Sequence, residues 1–162
     1  MANPQKRKGS AFERVIADEM SAEFGLSIIR TPNSGAYVGG KNACRIETLT
    51  EEQVLLADGD LVMPKELAHI KVECKAYKDF SFVSLFENNA LMDKWIEQSL
   101  EGTDKHWFVI FKINRQGVFV AFDKDLKETY MLPRSYFTYK SSIICKYKGF
   151  FQQNKDIILN LR

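Results

Sequence analysis

Histidine and cysteine are scarce in this 162-residue chain, with two of the first and three of the second. His69 and His106 stand apart, and no H-x-H or H-x-x-x-H pattern brings histidines together. A histidine-based metal site or general base is therefore not indicated, and the default role of each is structural. Cys44, Cys74 and Cys145 form an odd, widely spaced set. This excludes a disulfide framework and a C-x-x-C zinc site, and a reducing, cytoplasmic setting is expected, the host cytoplasm if the source is viral. Nine glycines and four prolines are too few for a low-complexity or collagenous chain. Long apolar runs are missing as well. The longest, 107–111 and 118–122, suit strands and fall far short of the ~20 residues of a membrane span, so no membrane partner is expected. The start, MANPQKRKGS, has basic residues with no apolar stretch behind them, unlike a secretory signal.

Net charge is small too: 23 Lys and Arg against 21 Asp and Glu give +2. That excludes a histone-like polycation and an acidic disordered tail, but not nucleic-acid binding, which depends on where charge sits. What the chain does have is 45% hydrophobic and 12% aromatic residues, a globular composition. A chain of about 150 residues buries about 68–70% of its unfolded surface, enough for one domain with a proper core.

The pattern predicts a first helix from Ser10, with Ser10 and Glu13 as an S-x-x-E capping box. Phe12, Val15, Ile16, Met20 and Phe24 follow at helical spacing, and Gly25 ends the helix. Strands are predicted at 26–30, 60–63, 69–75, 106–113 and 118–122, with a turn at Gln116-Gly117 and a helix over 84–101. Segment 31–40 is a loop. Two further strands are predicted at 141–147 and 156–161. The order implies an α/β fold with a central mixed β-sheet flanked by helices.

The chemistry concentrates in two short blocks. Gly59-Asp60 opens one strand, and Val72-Glu73-Cys74-Lys75 lies on the next. Alternation along a strand puts Glu73 and Lys75 on one face and Cys74 on the other. The spacing between Asp60 and Glu73 allows a strand, a turn and a return, so the two carboxylates can meet. With a main-chain carbonyl at Cys74 beside them, they suit Mg²⁺, a hard ion that takes oxygen ligands. Such a metal can stabilise phosphodiester charge and activate a water, and Lys75 supplies a movable positive charge beside it. The plain alternative is a surface Glu–Lys pair at i,i+2.

At these residues the sequence resembles the PD-(D/E)XK nuclease superfamily, and more narrowly the archaeal-type Holliday junction resolvases (the Hjc family). Lys8-Gly9-Ser10-Ala11-Phe12-Glu13-Arg14 resembles that family's K-G-x-x-x-E-R start. Arg30-Thr31-Pro32-Asn33-Ser34-Gly35 resembles its R-x-P-x-S-G loop, and the two strand blocks resemble its (P)D and E-x-K elements. The resemblance implies a restriction-endonuclease-like core and a homodimeric, Mg²⁺-dependent endonuclease, with Mn²⁺ as a substitute, that cuts branched DNA at four-way junctions. It implies Glu13, Asp60 and Glu73 as metal-site acids, Lys75 as the catalytic lysine, Ser34 near the scissile phosphate and Arg30 as a phosphate contact. Gly59 stands where the family has proline, a position that shapes the turn. The resemblance covers residues 8–75, the core extends over about 8–123 of a single nuclease domain spanning 1–162, and an insertion at 36–58 and an extension at 124–162 lie outside the family pattern.

Several of these residues have a second reading. Glu13 fits a capping box, Ser34 a turn, and Arg30 a pair with a structural acid. Lys6, Arg7 and Lys8 read either as a DNA-tracking arm or as a solvated terminus. Over 129–155 there is no acid, while Arg134, Lys140, Lys146, Lys148 and Lys155 interleave with aromatics. Lys140, Lys146 and Lys148 are candidate DNA contacts. Most of the aromatics are expected in the core or an interface.

Overall fold

A computed structural model describes residues 4–32, 58–102 and 104–161, with side chains from Arg7 onward. Helix α1 (Pro4–Phe24) is followed by β1 (Ile29–Arg30), β2 (Leu61–Val62), β3 (Ile70–Tyr77) and α2 (Ala90–Leu100). Then come β4 (His106–Ile113), β5 (Gly117–Asp123), β6 (Tyr136–Tyr139), β7 (Ser142–Lys146) and α3 (Phe150–Asn160). One sheet has the order β3-β4-β5-β7-β6, and β1 and β2 form a separate antiparallel pair. Strands β3 and β4 run parallel and the other neighbours antiparallel, so the sheet is mixed.

The interior strand β4 explains the layering. Seven of the eight residues of β4, His106–Ile113, are apolar or aromatic, and nearly all are buried, as in a strand covered on both faces. Phe108 and Ile110 face one core, with Val72 and Cys74 of β3, Val120 and Phe122 of β5, and Ile143 and Cys145 of β7. Helices α1 and α3 close that side with Phe12, Ile16, Met20, Phe150, Phe151 and Ile158. Trp107, Val109, Phe111 and Ile113 face the other core, closed by Met92, Trp95 and Ile96 of α2. This is the mixed sheet with flanking helices of a restriction-endonuclease-like core, as expected from the sequence.

Four local expectations need correction. Helix α1 starts at Pro4, so Ser10 is an interior residue and the Ser10–Glu13 capping box does not exist. Proline is favoured in a first helical turn, and the lysines, arginine and glutamine after it are good helix formers. Lys6, Arg7 and Lys8 therefore lie on the helix backbone and not on a loose arm. The helix placed over 84–101 is split into a 3-10 turn at Val83–Phe86 and α2. Asn89 makes the break: its side chain accepts from the Met92 amide at 2.9 Å and caps α2. The strand placed at 156–161 is helical. Gly149 adopts φ +80°, and Phe150, Phe151, Asn154 and Ile158 then present one buried helical face. The two short strands at the site are trimmed to Ile29–Arg30 and Leu61–Val62.

The tail beyond β5 completes the fold. Strand β6 lines the outer edge of the sheet, where no strand was expected. Tyr130, Tyr139, Tyr147, Phe150 and Phe151 are buried, in line with a core role for most aromatics of this segment. Asn154 is fully buried and spans to the Met131 backbone, accepting from its amide at 2.7 Å and donating to its carbonyl at 3.1 Å. Cys74 and Cys145 are buried free thiols. Among the described residues no helix is long and apolar enough to cross a membrane.

Candidate active site

The site is assembled at the β3 edge of the sheet. Asp60 enters from the turn before β2. Its amide donates to the Val72 carbonyl at 2.9 Å, and its carbonyl accepts from the Thr31 amide at 2.9 Å. The residue is thus held between β3 and the segment leaving β1. Its carboxylate turns back onto β3, where Oδ2 accepts from the Cys74 amide at 2.7 Å.

This approach depends on Gly59. Its φ is +86°, and a Cβ there would lie 2.8 Å from the Val72 carbonyl oxygen. Proline, locked near φ −65°, cannot take that conformation. The glycine that replaces the family's proline is therefore a requirement of this turn.

Glu73 and Lys75 sit on the face of β3 opposite Cys74, as alternation predicts. The register pairs Glu73 with Val109 and Lys75 with Phe111, both in the core beneath α2. Lys75 Nζ donates to Glu73 Oε2 at 2.9 Å. Glu13 approaches from α1 and pairs with Arg30 of β1, whose other guanidinium arm donates to Ser10 Oγ at 3.2 Å. Glu13, Asp60 and Glu73 are all buried.

Burying several carboxylates together has an electrostatic consequence. The Asp60 carboxyl is pushed up to about 7, first by burial and then by the charge of Glu73. Lys75 and the Cys74 amide oppose that rise, and Glu13 adds to it. Burial works against the Lys75 ammonium, but Glu73 and Asp60 outweigh it and hold its pKa above the usual lysine value. The Cys74 thiol, buried on the far face, is driven well above the ordinary range by burial and by the nearby carboxylates. It is a packing residue, neither a nucleophile nor a thiolate ligand.

A divalent cation is implied by this kind of core, and the donor chemistry fits it. Asp60 and Glu73 offer hard oxygens, and their mutual repulsion at a buried position is what a cation relieves. Glu13 is the third acid that would complete such a set. In the geometry described, Glu13 faces Arg30 and Glu73 faces Lys75, and among the described residues no three acidic, histidine or cysteine groups already form a ligand cluster.

Sequence reasoning missed one contributor. Lys71 is 5% exposed, and its ammonium reaches the carbonyls of Gln98 at 3.3 Å and Glu101 at 3.1 Å. It also lies 3.4 Å from Asp58 Oδ1, and Lys105 holds the other oxygen of Asp58 at 2.8 Å. Lys71 thus joins the segment carrying Asp60 and the strand carrying Glu73 to the C-terminal end of α2. The available signal was its place in Lys71-Val72-Glu73-Cys74-Lys75, on the same face as the two site residues.

The remaining candidates are spread out. Lys140 is paired with Asp93 at 2.7 Å, and Lys146 donates to the Gln116 carbonyl at 2.8 Å. Arg7, Lys8 and Lys148 are exposed. Ser34 and residues 36–57 of the insertion lie outside the described residues.

An aspartate at the head of one short strand, a Glu-x-Lys on the next, and a mixed sheet between helices define a nuclease core of the PD-(D/E)XK type. The family model described as "Phage putative PDDEXK endonuclease" matches residues 4–160, and the chain belongs to that family. No curated protein and no solved structure matches the chain.

Proposed function

We propose that the protein is a divalent-metal-dependent DNA endonuclease that resolves four-way junctions by paired phosphodiester hydrolysis. The observation that carries the nuclease reading is the Cys74 amide bond to Asp60, which fixes that carboxylate on the strand bearing Glu73 and Lys75. Asp60 and Glu73, with Glu13 as the third acid, would hold Mg²⁺. When bound, the ion supplies charge stabilisation at the phosphate and an activated water. Lys75 stays protonated between Glu73 and Asp60 and offsets charge that builds on the phosphate oxygens.

Support for junctions over plain duplex comes from the Arg30-Thr31-Pro32-Asn33-Ser34-Gly35 block, which resembles the loop of the Hjc family. The homodimer follows from the same resemblance and from the need for two coordinated cuts. The test is cleavage of a labelled synthetic four-way junction and a matching linear duplex with Mg²⁺. Symmetric nicks in the junction with little duplex cutting are expected. Efficient cutting of the duplex at a fixed sequence would replace this reading with a restriction-like or repair endonuclease on the same core.

A further inference from the structure

The face of the sheet that carries Glu73 and Lys75 continues, four strands away, into an aromatic ledge. Phe119, Phe82, Phe137 and Phe86 form a chain of rings with centroid separations of 4.8, 5.9 and 6.4 Å. The inner end is core, and the outer end is not: Phe86 is 81% exposed, its neighbour Val83 77%, and Phe137 38%. Phenylalanine at such exposure is an unusual use of a large apolar side chain. The register Phe137↔Ile144 puts Phe137 on the side of the α2 core, the side of Glu73 and Lys75. Strands lie about 4.8 Å apart, so β3 and β6 are separated by about 19 Å.

Charge selects the occupant. The exposed Lys146 ammonium stands 4.0 Å above the Phe119 ring, and Arg134 is exposed just before β6. Glu87 adjoins Phe86 in the chain, and Asp93 is neutralised by Lys140. We propose that the ledge of Phe86 and Phe137, flanked by Lys146, takes unpaired bases of a DNA strand, whose rings stack on the aromatics while its phosphates meet the cations. This rests on the DNA-endonuclease reading and adds a second contact, remote from the acids, that favours DNA with unpaired bases.

The test uses the full chain in EDTA with two fluorescein-labelled probes, a blunt duplex and the same duplex with a single-stranded thymine tail. The Phe86→Ala/Phe137→Ala double variant is expected to bind the tailed probe about 10-fold more weakly, with blunt-duplex affinity within about twofold. Phe86→Trp is expected to retain tail binding. A 2-aminopurine placed in the tail is expected to be quenched by the parent protein and not by the double variant. Undiminished tail binding by the double variant would overturn the ledge and leave the nuclease reading standing. A parent that binds neither probe would overturn both. Light scattering that shows a parent dimer becoming a monomer in the double variant would assign the ledge to a second copy and overturn the proposal.

Discussion

The Cys74 amide donates to Asp60 Oδ2 at 2.7 Å, so the strand that carries Glu73 holds the other acid through its own backbone. Asp60 is bound to β3 a second time through its amide and the Val72 carbonyl. Two bonds to one strand position a side chain more firmly than a rotamer preference does. Their cost is the crowding of negative charge that raises the Asp60 pKa.

Gly59 makes that approach possible, so Gly59→Ala is expected to be harmful out of proportion to its size. The added Cβ would sit 2.8 Å from a backbone oxygen in a left-handed conformation. A loss of about 1–3 kcal/mol in urea unfolding is expected, together with weakened cleavage. An unfolding midpoint and cleavage rate equal to the parent's would show that the turn does not position Asp60.

Lys71→Met removes a buried cation from Asp58 and from two carbonyls at the end of α2. Lys105 still holds Asp58, so the expected loss is about 2–4 kcal/mol and not a collapse. Lys71→Arg is expected to recover part of it. Chemical denaturation checks both, and a Lys71→Met protein as stable as the parent would refute the bridging role.

The raised Asp60 pKa makes the stability of the fold depend on pH. The fold retains a proton on Asp60 that the unfolded chain releases near the ordinary aspartate value of about 4. Without metal, this group's contribution to stability therefore falls as pH rises from about 4 to about 7, by on the order of a few kcal/mol, and stays low above that. Asp60→Asn is expected to raise the melting temperature in EDTA at pH 8 but not at pH 4. Mg²⁺ at pH 8 is expected to raise the melting temperature of the parent and not of the variant. No difference between parent and variant at pH 8 would contradict the crowding of charge at the site.

The sheet centre was the most legible part of the chain. The apolar run 107–111 and its partner 118–122 identify strands because both faces of β4 and β5 are buried. Asp60, Glu73 and Lys75 were legible from spacing and alternation, since period-2 geometry alone puts the last two on one face. Helix α3 was misread because Ile157-Ile158-Leu159 looks like a short strand when taken alone. The helical repeat appears only when Phe150, Phe151 and Asn154 are included. The Ser10–Glu13 motif misled for the opposite reason, a local pattern overridden by helix-forming residues before it. Lys71 escaped because its partners are carbonyls of α2 and an aspartate 13 positions earlier, contacts that only the tertiary fold creates.

Metal-dependent phosphodiester hydrolysis is assigned to Asp60 and Glu73. It is tested most directly by single-turnover cleavage of a labelled four-way junction with and without Mg²⁺, by the parent, Asp60→Asn and Glu73→Gln, with junction binding measured in EDTA on the same samples. Mg²⁺-dependent cutting by the parent is expected, reduced about 100-fold or more in both variants while binding stays within a few-fold. Cutting by both variants at the parental rate would contradict the site.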